Sequence, residues 1–337
     1  MRTKRNIHLS LLLTGSAAVF VLLMTCGRVN ASGPGGKIVF EAGDSATGSF
    51  QLFTMNPDGT NKVQITNLPA NNFDSLLPSI SPDGQRVIFC FGTFDANGNG
   101  LSDLYIINID GTGLVQLTND GLSCFPHWSP DGTGIIFAHL ALNINNTGIS
   151  NNVVSTMHAN GTGTTLSLTS NLWDSIGFFT PDERHVVFYS QTGGLISAVW
   201  IMDAHGANKR QLTPAALEGF PSDVSPDSQH ILLGNHGNSG PALTNDIFVM
   251  NLDGTGLTQL TQYATLHHDG SGSYSPDGTK IVFSSDRLSA DVSATSFGTY
   301  DIFTMDADGS NVTRIATAVA SCPQDGNCPS VSWGPKP

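Results

Sequence analysis

The 337-residue chain carries 27 acidic residues against 14 basic ones, and only 12% of its positions are charged, about half the roughly 25% usual for soluble domains. That acidic excess excludes a nucleic-acid surface or a face for anionic membranes, each of which needs a basic patch. Gly, Asn, Ser and Thr take the place of charge, a turn-rich β composition with no long amphipathic helix.

The first element in chain order is a targeting segment, residues 1–31. Arg2, Lys4 and Arg5 form a basic start, Ile7 to Met24 is apolar, and Val29-Asn30-Ala31 offers a small-residue cleavage site before Ser32. Two alternatives stay open: a lipoprotein signal with Cys26 as the acylated residue, or an uncleaved anchor. All three place residues 32–337, read as a single domain, outside the cytoplasm, in the periplasm, the cell envelope or the medium. Removing Arg2, Lys4, Arg5 and Arg28 with the leader leaves 10 basic residues against 27 acidic, a net charge near −17.

Beyond the leader the chain is organised by repeated words. Ser275-Pro276-Asp277-Gly278 runs into Ile281-Val282-Phe283, and the same turn-then-strand word occurs at Ser81-Pro82-Asp83-Gly84 and Ser129-Pro130-Asp131-Gly132. Weaker copies stand at Thr180-Pro181-Asp182 and Ser225-Pro226-Asp227, and the prolines step by 48, 51, 45 and 50 residues. Proline presets φ for a tight turn, and Asp and Gly complete it. Between these words lies a second, a strand, an Asp-Gly or Asn-Gly hairpin and a strand ending in Leu-Thr. It reads Leu52 to Thr66, Leu104 to Thr118, Val153 to Thr169, Val199 to Thr213 and Ile247 to Thr261, and closes as Ile302 to Ala316.

Six hairpin words face only five complete turn-strand words, and the missing one is split between the chain ends. Lys37-Ile38-Val39-Phe40 matches Lys280-Ile281-Val282-Phe283, and Trp333-Gly334-Pro335 matches Trp128-Ser129-Pro130. A unit shared by both ends closes a ring and hides its sheet edges. The expected fold is therefore all-β, a six-bladed β-propeller of four-stranded blades in which N- and C-terminal strands pair within one blade. Phe40, Phe89, Phe137, Phe188 and Phe283 end equivalent strands and are expected as packing between blades.

The words resemble the TolB-type (WD40-like, PD40) propeller repeat over Gly36 to Pro335. The resemblance implies a propeller but leaves function open, because the same repeat also precedes serine-peptidase domains of the prolyl oligopeptidase type. Neither the separate α/β domain of periplasmic TolB nor a hydrolase domain is expected here. A Gly-x-Ser-x-Gly elbow and a phosphate-cradling glycine loop are also lacking.

Counting back from each Ser-Pro turn locates the loops around one mouth of the channel. They hold Asp74, Asp120, Asp174, Glu218, His267-His268-Asp269 and Asp325, an acid in every unit. Arranged as a ring, these would attract cations or basic peptide segments; the other reading is solvated turn aspartates. His127, His267 and His268 add metal-ligating capacity, and Trp173 offers a stacking platform beside Asp174. Asp95, Asn97, Asn99 and Asp103 space oxygen side chains as short calcium loops do; the alternative is a Gly-Asn hairpin, with Asp103 a repeat position shared with Asp246 and Asp301. Cys322 and Cys328 are the expected disulfide, while Cys90 and Cys124 either pair or stay as buried thiols. The expected function is an exported, non-catalytic propeller that binds a protein or peptide, from the cell envelope or beyond, at an acidic channel mouth. The alternative is a metal-assisted glycan lyase or hydrolase using the mouth histidines. Calcium is the one cofactor considered.

Overall fold

The computed structural model describes residues 35–44, 49–69, 76–94, 100–141, 151–163, 165–170, 173–192, 196–214, 217, 219–235, 245–262, 267–289, 299–321 and 329–337. These form six sheets, each of four antiparallel strands. Blade 1 joins β24 (Val331–Gly334) to β1 (Lys37–Asp44), β2 (Ser49–Met55) and β3 (Val63–Gln64). Blade 2 is β4 (Ser79–Ile80), β5 (Arg86–Phe94), β6 (Gly100–Asn108) and β7 (Val115–Gln116), and blade 3 is β8 (Ser123–Trp128), β9 (Gly134–Ala141), β10 (Asn151–His158) and β11 (Leu166–Ser167). Blade 4 is β12 (Asp174–Phe179), β13 (His185–Thr192), β14 (Ile196–Asp203) and β15 (Arg210–Gln211). Blade 5 is β16 (Gly219–Val224), β17 (His230–Asn235), β18 (Ile247–Asn251) and β19 (Thr258–Gln259). Blade 6 is β20 (Ser273–Tyr274), β21 (Lys280–Ser285), β22 (Thr299–Asp306) and β23 (Thr313–Ser321).

The fold is the expected six-bladed propeller, and the chain ends close it. Ile38 pairs with Trp333 and Phe40 with Val331, so the C-terminal strand is the innermost strand of the blade that the N-terminus begins. The innermost strands β24, β4, β8, β12, β16 and β20 touch one another in a complete circuit.

Each second strand carries a run such as Ile-Val-Phe because it is buried on both faces. In β1, Val39 enters an apolar cluster with Ile80, Val87 and Phe89 of blade 2, while Ile38 and Phe40 enter another with Val282 and Tyr300 of blade 6. Among the described residues one such cluster fills each of the six blade-to-blade interfaces. The five strand-ending phenylalanines are all 0–1% exposed within them.

The turn words also have a local cause. In Ser81-Pro82-Asp83-Gly84 the Ser81 hydroxyl donates to Asp83 (2.5 Å) and accepts from the Arg86 N–H (2.9 Å), while Gly84 N–H donates to the Ser81 carbonyl (2.8 Å). Gly84, Gly132 and Gly278 take φ of 70–72°; the weaker copies force Glu183 and Ser228 to φ of 59° and 58°, a region that ordinary side chains rarely visit.

The Leu-Thr ending of each hairpin word is likewise structural. The hydroxyls of Thr66, Thr118, Thr169, Thr213 and Thr261 each accept a backbone N–H of the neighbouring third strand, at Leu52, Leu104, Val154, Val199 and Ile247, over 2.8–3.0 Å. Blade 6 has Ala316 at this position, and there β23 runs on to Ser321, pairing irregularly with β22 instead. Thr213→Val keeps the shape but leaves the buried Val199 N–H without its acceptor. It is expected to cost about 1–3 kcal/mol, read as a lower urea midpoint at constant slope; an unmoved midpoint would show that the hydroxyl is dispensable.

Cys90 in β5 and Cys124 in β8 form a disulfide that joins blades 2 and 3 across 34 residues of sequence. Cys322, Cys328 and residues 1–31, where the targeting segment is expected, lie outside the described residues.

Candidate functional site

The six innermost strands surround a central cavity of about 310 Å³ with a predominantly apolar wall. Every blade contributes: Val331, Leu77 and Pro78, Phe125 and His127, Ile176 and Phe178, Phe220 and Pro221, and Asp269 to Ser271. The lining side chains are turned inward by a repeated irregularity. The pairing of innermost to second strand slips between Cys124 and His127, between Ser175 and Gly177, and between Pro221 and Asp223. A bulge of this kind re-aims the extra residue, and Phe125, Ile176 and Ser222 at the three slips all line the cavity. Phe125 and Ile176 do so at φ of 54° and 46°, as does Leu77 in blade 2 at 45°. Left-handed backbone at a Leu, a Phe and an Ile costs on the order of 1–3 kcal/mol each and clusters at binding sites.

Two polar atoms on this wall, Asn152 Oδ1 and Ser222 Oγ, are buried without a hydrogen-bond partner among the described residues. The His127 ring lies 3.9 Å from the Phe178 ring, and burial pushes its pKa down to about 3, so it stands in the wall as a neutral imidazole.

Glu41 sits directly behind the wall. Its buried carboxyl accepts the N–H groups of Leu76 (3.0 Å) and Leu77 (2.7 Å) and bonds Ser330, tying blade 2 to the segment that leads into β24. Burial outweighs those hydrogen bonds and pushes its pKa up to about 8, so Glu41 is a neutral acid at pH 7. Asp223, half-buried between blades 5 and 6, accepts from Tyr274 N and Ser273 Oγ, and desolvation raises it to about 6.

A second polar centre adjoins the cavity where blades 5 and 6 meet. His267 Nε2 lies 3.1 Å from Asp246 Oδ1 and 3.7 Å from Asp269 Oδ2. One nitrogen of Arg287, Nη2, reaches both oxygens of Asp269 at 2.8 Å, and the guanidinium covers the rings of Phe283 and Phe303. His268 Nδ1 meets Asp286 at 2.9 Å, and the His268 N–H donates to the same carboxylate. Asp246 occupies the repeat position of Asp103, yet the two carboxylates are used differently. Asp103 accepts from Thr118 Oγ1 at 2.9 Å and from the N–H groups of Asp120 and Gly121. Asp246 is 3.5 Å from the equivalent Thr261 hydroxyl and turns toward His267.

Of the residues singled out in the sequence, His127 and Asp269 lie on the cavity wall. His267 and His268 are buried beside it with their carboxylates. Asp174 is buried at the start of β12, and Trp173, half-buried, bridges by its backbone to Asn152. Asp120 is exposed, accepts from Leu122 N and Ser123 Oγ, and faces His139 at 3.0 Å. Asp74, Asp95, Asn97, Asn99, Glu218 and Asp325 lie outside the described residues. The sequence patterns single out neither Glu41 nor Asp286 nor Arg287 as site residues, and they mark Asp246 only as a repeat position. For Glu41 a signal does exist, an acid directly following the buried Ile-Val-Phe run.

Comparison with known proteins places this architecture in context. Residues 2–218 match the family model PD40, described as the TolB beta propeller domain. Among solved structures, TolB from Acinetobacter baumannii superposes with a TM-score of 0.67 at 18% identity, covering 89% of this chain and 67% of that one. The putative TolB from Agrobacterium tumefaciens gives 0.60 at 18% identity, covering 90% of this chain and 100% of its own. A prolyl endopeptidase gives 0.54 at 12% identity, covering 85% of this chain and 49% of that one. At such identities these likenesses concern the fold.

Proposed function

We propose that this chain, which belongs to the PD40 family of TolB beta-propeller domains, is an exported, non-catalytic module that binds a peptide segment of a protein partner in the central cavity. The observation that carries the reading is the cavity wall. Apolar side chains held at left-handed φ project into it, and beside them Asn152 Oδ1 and Ser222 Oγ have no partner among the described residues. A mostly apolar pocket with a few fixed polar groups is what a bound side chain with its peptide backbone requires. Aromatic and aliphatic anchors supply the burial, while the two polar atoms fix register. The acidic body favours a partner whose flanking residues are basic. The disulfide between Cys90 and Cys124 suits an oxidising compartment such as the periplasm.

The test separates binding from folding. Phe125→Gly and Ile176→Gly remove a wall side chain and at the same time relieve left-handed strain. Phe125→Gly is expected to melt no lower than the parent, and Ile176→Gly somewhat lower because its side chain also packs on the cluster between blades 4 and 5. Each is expected to bind a peptide, selected from a displayed library on the parent protein, at least about 10-fold more weakly, which corresponds to roughly 1.4 kcal/mol. Unchanged affinity in both variants would place the interface elsewhere.

A further inference from the structure

We propose that Asp246, His267 and Asp269 bind one divalent transition-metal ion, with Zn²⁺ the best match, at the junction of blades 5 and 6. The proposal goes beyond peptide binding and stands whether or not a peptide is bound.

Geometry comes first. The three donor atoms lie within 4.8 Å of one another. A tetrahedral Zn²⁺ with bonds of about 2.0–2.1 Å sets its ligands roughly 3.3 Å apart. His267 Nε2 stands 3.1 Å and 3.7 Å from the two carboxylates, on either side of that value. A single N–H on this nitrogen can point at one carboxylate only, whereas its lone pair directed at a shared cation serves both.

The donors are also fixed before any ion arrives. Asp269 N–H donates to the Asn245 carbonyl at 2.9 Å, next to Asp246, and Asp269 pairs with Ser285. The Asn235 side chain accepts the Asp246 N–H at 2.8 Å. Arg287 Nη2 donates to both oxygens of Asp269 at 2.8 Å and fixes the carboxylate, the kind of outer-shell hydrogen bond that ligating carboxylates make. Access comes from the central cavity, whose wall includes Asn245 and Asp269.

Charge argues in the same direction. Asp246, Asp269 and Asp286 are all buried, and a divalent cation held by the first two would offset carboxylate charge that burial makes costly. The imidazole and the small donor set favour Zn²⁺ over Mg²⁺ or Ca²⁺, which take six or more oxygens.

The experiment is a calorimetric titration of the EDTA-dialysed full chain with Zn²⁺, paired with Co²⁺ absorption as a readout of tetrahedral geometry. One equivalent should bind, with visible tetrahedral Co²⁺ bands. His267→Ala and the more conservative Asp246→Asn should each weaken Zn²⁺ by more than the roughly 10–100-fold that loss of an outer-shell partner costs, whereas His139→Ala, in blade 3 where the ring faces Asp120, should leave it unchanged. Absence of stoichiometric binding by the folded parent would overturn the proposal. So would binding that persists undiminished in Asp246→Asn, since the ion would then sit elsewhere.

Discussion

Trp333→Ala is expected to lower stability by about 3–5 kcal/mol, and deletion of residues 330–337 to abolish cooperative unfolding. Trp333 is 6% exposed and packs with Ile38, Phe40, Tyr300 and Val331 in the cluster between blades 1 and 6. Its indole N–H donates to the Gly35 carbonyl at 3.2 Å, and its backbone N–H to Ser273 Oγ of blade 6. The side chain therefore joins the C-terminal strand, the N-terminal strand and the last full blade. Deleting that strand would strip β1 of its inner partner and open the innermost circuit at one point, exposing an unpaired edge. Urea unfolding followed by tryptophan-independent circular dichroism reads both variants. If the deletion variant unfolds with the parent's midpoint and slope, the ring does not depend on the shared blade.

The second large effect is a pH dependence centred on Glu41. Unfolded, its carboxyl ionises near 4.5; folded, burial holds the proton up to about 8. Because the folded pKa is raised, the contribution to stability is full below about 4.5 and is lost as pH rises through 8. Over that window the parent should lose on the order of 3–5 kcal/mol, an upper range that relaxation would reduce. Asp223, raised to about 6, adds a smaller loss of the same sign lower in the window. The turn aspartates act oppositely. Asp83, Asp131 and Asp227 are held below the ordinary range, chiefly by the Ser hydroxyls they accept from. Their stabilisation is present above about pH 4 and is lost as pH falls below it. Stability should therefore peak near about pH 4. Glu41→Gln keeps the acceptor for Leu76 and Leu77 but removes the proton. It should match the parent near pH 5 and exceed it by several kcal/mol near pH 9, by about the amount the parent has lost. Parallel stability curves for parent and variant across that range would show that Glu41 does not hold its proton.

The architecture was legible because each blade spells the same words. Ser-Pro-Asp-Gly builds its own turn from a serine hydroxyl and an aspartate, and Ile-Val-Phe marks a strand buried on both faces, so neither depends on distant residues. The split unit was readable too, because Ile38 and Trp333 keep their repeat identities at opposite ends of the chain. The site was less legible for a physical reason. Its wall is made by bulges at Phe125, Ile176 and Ser222, and a one-residue slip in register changes which side chain faces inward without any compositional mark. Counting back from the turns reached Asp269, and His127 was singled out by its residue type a short way before its turn; both lie on the wall. Glu41 and Arg287 lie on second strands or just beyond them and reach the centre only through the tertiary fold. Asp246 could be read as one of the strand-opening acids, but its turn toward His267 depends on a loop in the next blade.

The most direct measurement of cavity binding is hydrogen exchange of the full chain with and without a selected peptide. Binding in the cavity should slow exchange in the innermost strands and the segments leading into them, at 76–80, 121–128, 173–179 and 219–224, and leave the outer strands β3, β7 and β11 unchanged. Protection confined to those outer strands, with the innermost strands unaltered, would contradict it.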